Sequence, residues 1–99
     1  MEYQEKAELA IKHDRDHSSV QLYLDNDGAI QMFSYDSGPG VQAFFGKDDH
    51  ECWVTVPPAA VGRLAFALLK EKFTGKLSAV HDLRDFCREH RIDSQSGSW

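Results

Sequence analysis

The sequence predicts an α+β domain, in which an antiparallel meander of four or five strands precedes two helices. Three observations lead to this prediction. Up to residue 56, short segments alternate apolar and polar residues, as half-buried strands do. Segments rich in Gly, Asn, Asp and Ser separate them, which is typical of turns. After Pro57 and Pro58 the apolar residues recur at the spacing of an amphipathic helix.

The predicted strands lie in the first half of the chain, at residues 7–13, 19–24, 29–35, 41–45 and 52–56. The first is ambiguous, because Leu9 and Ile11 alternate as in a strand while the neighbouring Ala and Glu favour a helix. We interpret it as an edge strand. The segment Asp-Asn-Asp-Gly at 25–28 is typical of a tight hairpin turn, because these residues tolerate positive φ.

Two helices are predicted, at 58–73 and 78–90. A proline suits the first turn of a helix, and a glycine such as Gly75 is a common residue just past its end. Ser78 is the predicted N-cap of the second helix. We expect the first of these helices to pack on one face of the sheet. The whole chain, 1–99, is then a single domain whose ends, 1–6 and 93–99, are loose.

Composition limits the possible functions. The chain has 99 residues, of which 41% are hydrophobic and 27% charged, as in a soluble globular protein. Its formal charge of −5 argues against nucleic acid as a partner. The charged N-terminal segment does not match a signal peptide, and no apolar run approaches the ~20 residues that span a bilayer. With only two cysteines, Cys52 and Cys87, these features predict a cytoplasmic protein without a membrane segment.

Tracing the alternation along the strands predicts two faces of the sheet. One is aliphatic, and we expect the 58–73 helix to cover it. The other, here called the predicted aromatic face, combines rings with glutamines: Tyr23, Phe33, Tyr35, Phe44 and Trp53, with Gln21, Gln31 and Gln42. Five aromatic side chains offer roughly 1,000 Å² of apolar contact, whereas the largest exposed patch of a monomer is usually ~300–600 Å².

Something is therefore expected to cover the predicted aromatic face, and the candidates are the 78–90 helix, a partner subunit or a ligand. We predict a non-enzymatic interaction module that forms a homodimer or docks a protein partner through this face, because aromatic residues are enriched at interface cores. The alternative is a single-stranded nucleic-acid binder that stacks bases on the same rings. Charge argues against it, since no Lys or Arg lies between Arg15 and Lys47.

A second candidate surface consists of acidic turn residues. In a five-stranded meander, alternate turns meet at one end of the sheet, which would bring Asp25 and Asp27 near Asp48 and Asp49. Such a cluster could hold a hard cation or a basic partner. The other interpretation is that these residues are solvated hairpin tips.

No catalytic motif, cofactor or metal site is predicted. His13 and His17 are spaced i, i+4, which we take to make a metal pair only on a helix, whereas a turn is predicted between them. His81, Cys87 and His90 lie on one predicted helix, and three ligands from one helix do not converge on an ion. A disulfide between the two cysteines is not expected in a reducing compartment.

Overall fold

The computed structural model describes residues 2–98, which form four strands and three helices. The strands are β1 (Tyr3–His13), β2 (His17–Asp25), β3 (Ile30–Ser37) and β4 (Asp49–Val56). The helices are α1 (Pro39–Phe45), α2 (Pro58–Phe73) and α3 (Ala79–Glu89). The α+β class, with an antiparallel sheet followed by C-terminal helices, is confirmed. Internal contacts divide the chain into two compact units, one up to Leu64 and one from Ala65; the single domain stays a prediction.

The first unit contains a meander sheet in the order β1-β2-β3-β4, with every neighbouring pair antiparallel. The predicted edge strand is confirmed as β1, and it begins at Tyr3, inside the segment predicted as a loose end. Two irregularities interrupt its register, one after Tyr3 and one between Glu8 and Ala10. Such bulges increase the local twist of an edge strand.

The β2–β3 hairpin confirms the predicted turn. The backbone N–H of Gly28 donates to the carbonyl of Asp25 at 3.0 Å, and Gly28 has a φ of +94°. The Asp27 carboxylate accepts a hydrogen bond from the N–H of Ala29 at 2.9 Å. Asp and Gly are favoured in such turns because Asp caps nearby N–H groups and Gly adopts positive φ without strain.

The strand predicted at 41–45 is wrong, because these residues lie in α1. Pro39 occupies the first turn of this helix, and Gly46 ends it in the left-handed conformation, its N–H donating to Gln42. A proline at the start and a glycine past the end favour a helix over a strand. The apolar residues at 41, 44 and 45 also fit helical spacing, so the alternation in this segment was misleading.

The helix that the structure shows against the sheet is α1, which contacts β3 and β4, instead of the predicted 58–73 helix. Val41 on α1 is buried at 9% exposure, and the ring of Phe45 stacks on His50 of β4, with centroids 3.8 Å apart. Ala29, in the β2–β3 turn, is 4% exposed. Among residues 2–98 these two small side chains are the buried apolar ones, so the interior of the first unit is small.

The bounds predicted for α2, 58–73, are confirmed, and α3 lies within the predicted 78–90. Ser78 precedes α3, and its hydroxyl donates to the Asp82 carboxylate at 2.8 Å. Residues 92–98 contain no helix or strand. None of the three helices α1, α2 and α3 is long and apolar enough to cross a lipid bilayer.

Replacing Gly38 by alanine is expected to lower the free energy of unfolding by about 1–3 kcal/mol. Gly38 has a φ of +126°, and an added Cβ would lie 2.9 Å from the carbonyl oxygen of Arg15. Gly62→Ala on α2 is the matched control, because an added Cβ there meets no atom within 4 Å. In a helix interior, replacing glycine by alanine should raise the free energy of unfolding by about 0.5–1 kcal/mol. Urea denaturation measures both; equal stability of the two variants would contradict the prediction.

Candidate functional site

Backbone pairing places most of the predicted aromatic face on one side of the sheet. Paired residues of neighbouring strands point to the same side, and the register joins Gln21 to Phe33 and Phe33 to Trp53. It also joins Tyr23 to Gln31. The predicted residues that share this side are Gln21, Tyr23, Gln31, Phe33, Tyr35 and Trp53.

Phe44 and Gln42 do not belong to this side, because they lie on α1. Phe44 is 82% exposed and packs edge-on against Phe45. A ring that the sequence did not assign takes its place: Tyr3 pairs with Asp25 and lies edge-on to Tyr23, with ring centroids 5.3 Å apart. Tyr3 was missed because its segment was predicted to be loose. The ring face is defined from here on by the aromatic residues Tyr3, Tyr23, Phe33, Tyr35 and Trp53.

The ring face is only partly covered by its own strands. Tyr23, Phe33 and Tyr35 on the two central strands are half-buried, whereas Trp53 on the edge strand β4 is 61% exposed. On the opposite, aliphatic side, Val54 is 66% exposed. Both sides of the sheet therefore present apolar atoms to solvent, although a stable sheet normally packs its apolar faces against another layer.

Two polar side-chain atoms on the ring face have no hydrogen-bond partner within residues 2–98. They are Oε1 of Gln21 and Oδ1 of Asp25, each enclosed by neighbouring atoms. An unpartnered enclosed polar atom costs about 1–3 kcal/mol. A docking surface that reoriented these side chains and supplied N–H or O–H donors would recover part of that free energy.

The charged residues among the rings are mostly acidic. Lys6 lies 5.5 Å from the centroid of the Tyr23 ring, a cation–π contact. Glu8 is paired with Gln21 and Glu51 with Tyr35, so both carboxylates lie on the same side as the rings. This distribution does not favour a phosphate backbone next to the rings.

The predicted acidic cluster does not form, because its two halves lie at opposite ends of the sheet. Asp25 lies at the β2–β3 hairpin, whereas Asp49 pairs with Ser37 at the other end of β3. The length of β3 separates the two ends by about 20 Å. The reason is the helix at 39–45: without a strand there, the chain crosses the sheet once less, and Asp48 and Asp49 reach the opposite end from Asp27.

The structure brings together two histidines that the sequence analysis kept apart. His13 ends β1 and His17 begins β2, and the register pairs them across the three-residue turn 14–16. Their Nδ1 atoms are 3.1 Å apart, and both side chains are exposed. A hairpin with a three-residue turn thus places residues i and i+4 side by side, an arrangement that the sequence analysis considered only for a helix.

A third imidazole, that of His50, lies next to a thiol on β4. The Nε2 atom of His50 is 3.2 Å from Sγ of Cys52, because residues two apart on a strand share a face. Phe45 stacks on His50 with the ring planes 2° apart, which holds the imidazole in place. Cys52 is exposed, and both it and Cys87 are free thiols.

No group of three or more metal-binding side chains converges anywhere in residues 2–98. In the second unit, α2 and α3 form an open apolar groove of about 440 Å³ lined by Phe66, Leu69, Phe73, Val80 and Leu83. Its lining carries one charged side chain, that of Lys70. The groove is an open apolar surface of the second unit.

Cys52 is expected to react faster than Cys87 with an aromatic disulfide reagent. Cys52 is exposed whereas Cys87 is half-buried, and disulfide exchange requires access of the reagent to the sulfur. Cys87→Ser and Cys52→Ser variants report the two rates separately. Equal rates for the two thiols in the folded chain would contradict this ordering.

Comparison of the chain with protein-family models, with curated proteins and with solved structures gives no match. The features that bear on function are thus those of the chain itself. One feature is the aromatic side of the sheet, with its unpartnered polar atoms. The others are the exposed His13–His17 and His50–Cys52 contacts, which lie at the end of the sheet away from the β2–β3 hairpin.

Proposed function

We propose that this protein is a non-enzymatic interaction module of the cytoplasm that self-associates through the ring face, most simply as a homodimer. The observation that supports this proposal is the coexistence of five aromatic side chains on one side of the sheet with a 61% exposed Trp53 at its edge. Tyr, Trp and Phe are the residues that concentrate at the buried centre of protein interfaces.

The size of the ring face supports the same proposal. Four strands of about eight residues cover a projected area of roughly 500 Å², and the side chains raise the accessible area above that value. Standard interfaces bury about 800 Å² on each partner. A second copy of the same sheet, packed about 10 Å away, would cover a face of this size and place its own rings against these rings.

The position of α1 favours the ring face over the aliphatic side. His50 pairs with Asp36 and shares its side of the sheet with Val54, and Phe45 stacks on this imidazole. The short helix of the first unit therefore reaches the aliphatic side. The unpartnered atoms of Gln21 and Asp25 lie on the other side, with the rings.

Substituting Trp53 by glutamine is expected to raise the dimer dissociation constant by at least about tenfold, since buried Trp residues commonly contribute 2 kcal/mol or more at interfaces. Sedimentation velocity from about 1 to 100 µM, a range that covers micromolar affinities, measures the change. A parent chain that stays monomeric over this range would defeat the homodimer.

Val54→Gln is the matched control for that experiment. Val54 follows Trp53 on the same strand, has a similar exposure of 66%, and points to the opposite side. It should leave the dissociation constant within about twofold, because surface substitutions away from an interface have small effects. A larger effect from Val54→Gln than from Trp53→Gln would move the interface to the aliphatic side.

The nucleic-acid alternative has a separate test. A fluorescently labelled single-stranded oligonucleotide is expected to show no saturable binding even at low salt, because acidic groups surround the rings and phosphate attraction dominates such affinities. Saturable binding that weakens steeply with added salt and is lost in Trp53→Gln would favour the alternative over self-association.

A further inference from the structure

The His13–His17 contact at the β1–β2 hairpin has a geometry that suits metal chelation. The two Nδ1 atoms are 3.1 Å apart and their ring centroids 5.3 Å apart, with the rings inclined at 71°. Zinc–imidazole bonds are about 2.0–2.1 Å long, so two nitrogens bound to one ion at angles of about 90–110° lie about 2.9–3.4 Å apart. The observed separation falls inside that interval.

Without a metal, the same contact needs one ring to carry its proton on Nδ1 and the other ring to accept it. Both Nδ1 atoms then point at the space between the rings. A divalent ion bound there accepts the lone pairs of both Nδ1 atoms, and the proton that one Nδ1 carried is then held, after exchange with solvent, by Nε2 of the same ring. Neutral imidazole is a preferred ligand of Zn²⁺, Ni²⁺ and Cu²⁺.

The backbone holds the two histidines in this arrangement. His13 and His17 are register partners, so the β1–β2 ladder fixes their spacing. The turn between them is closed by the N–H of Asp14, which donates to the carbonyl of Asp16 at 3.1 Å. The Asp16 carboxylate in turn accepts a hydrogen bond from the N–H of Gly40 at 3.0 Å, which ties the turn to α1.

We propose that His13 and His17 form a two-imidazole chelate for a divalent transition-metal ion of the Zn²⁺, Ni²⁺ and Cu²⁺ group. Both side chains are exposed, so water can complete the coordination of the bound ion. The site lies within one hairpin of one chain and does not depend on self-association. Its ligand set selects against Mg²⁺ and Ca²⁺, which prefer oxygen ligands.

The test titrates the full chain with Zn²⁺ by isothermal calorimetry after chelator treatment. The parent should bind one ion saturably, and His13→Ala and His17→Ala should each weaken binding at least about tenfold, since even indirect partners of a metal ligand change affinity about 10–100-fold. His81→Ala, on α3, is the matched control and should bind as the parent does. Unchanged binding in the first two variants, or no saturation up to about 1 mM Zn²⁺, overturns the site.

A second measurement separates this site from the His50–Cys52 contact and from loss of folding. Histidine ring ¹⁵N signals of the intact parent should shift at Nδ1 of both His13 and His17 when Zn²⁺ is added, with His81 unaffected. Cys52→Ser should retain the shifts. Shifts confined to His50, or abolished by Cys52→Ser, would assign the ion to β4 and overturn the proposal.

Discussion

Hydrogen-bonded pairing of four antiparallel strands is the constraint on which both faces of the sheet in the first unit depend. Because side chains alternate along each strand, a register such as Gln21–Phe33–Trp53 commits every second residue to one side of the sheet. A slip of one residue along β3 would send Phe33 and Tyr35 to the aliphatic side. The ring face is thus a consequence of backbone pairing, and the cross-strand contact of Tyr3 with Tyr23 reinforces it.

The short helix α1 has consequences well beyond its seven residues. By replacing a strand, it reverses the end of the sheet at which Asp48 and Asp49 lie. It removes Phe44 from the aromatic side and places Phe45 against the imidazole of His50. It also supplies the N–H of Gly40 to the Asp16 carboxylate, which links the β1–β2 turn to the far strands of the sheet. One local choice of conformation therefore rearranges three candidate sites.

The distribution of apolar residues supports the proposed interaction role. Ala29 and Val41 are the buried apolar side chains among residues 2–98, while Trp53 and Val54 stay more than half exposed on opposite sides of one strand. Burial of apolar area is the main favourable contribution to folding, at about 25 cal/mol per Å². A sheet with two apolar sides gains free energy when a further layer packs on it, and a second chain is one source of that layer.

Local patterns in the sequence determined the strands around Val20–Leu24 and Ile30–Tyr35, the Asp25–Gly28 turn and the bounds of α2, because each depends on residues that are close along the chain. The same patterns sorted Tyr23, Phe33 and Trp53 onto one side, since strand periodicity is independent of the partner strand. The spacing of apolar residues at 41–45 fits both a strand and a helix, and only the tertiary structure decided between them. It also decided that Tyr3 joins the rings and that His13 meets His17. Those outcomes depend on which segments pair and on how many times the chain crosses the sheet, and residue spacing within a single segment carries no information about either.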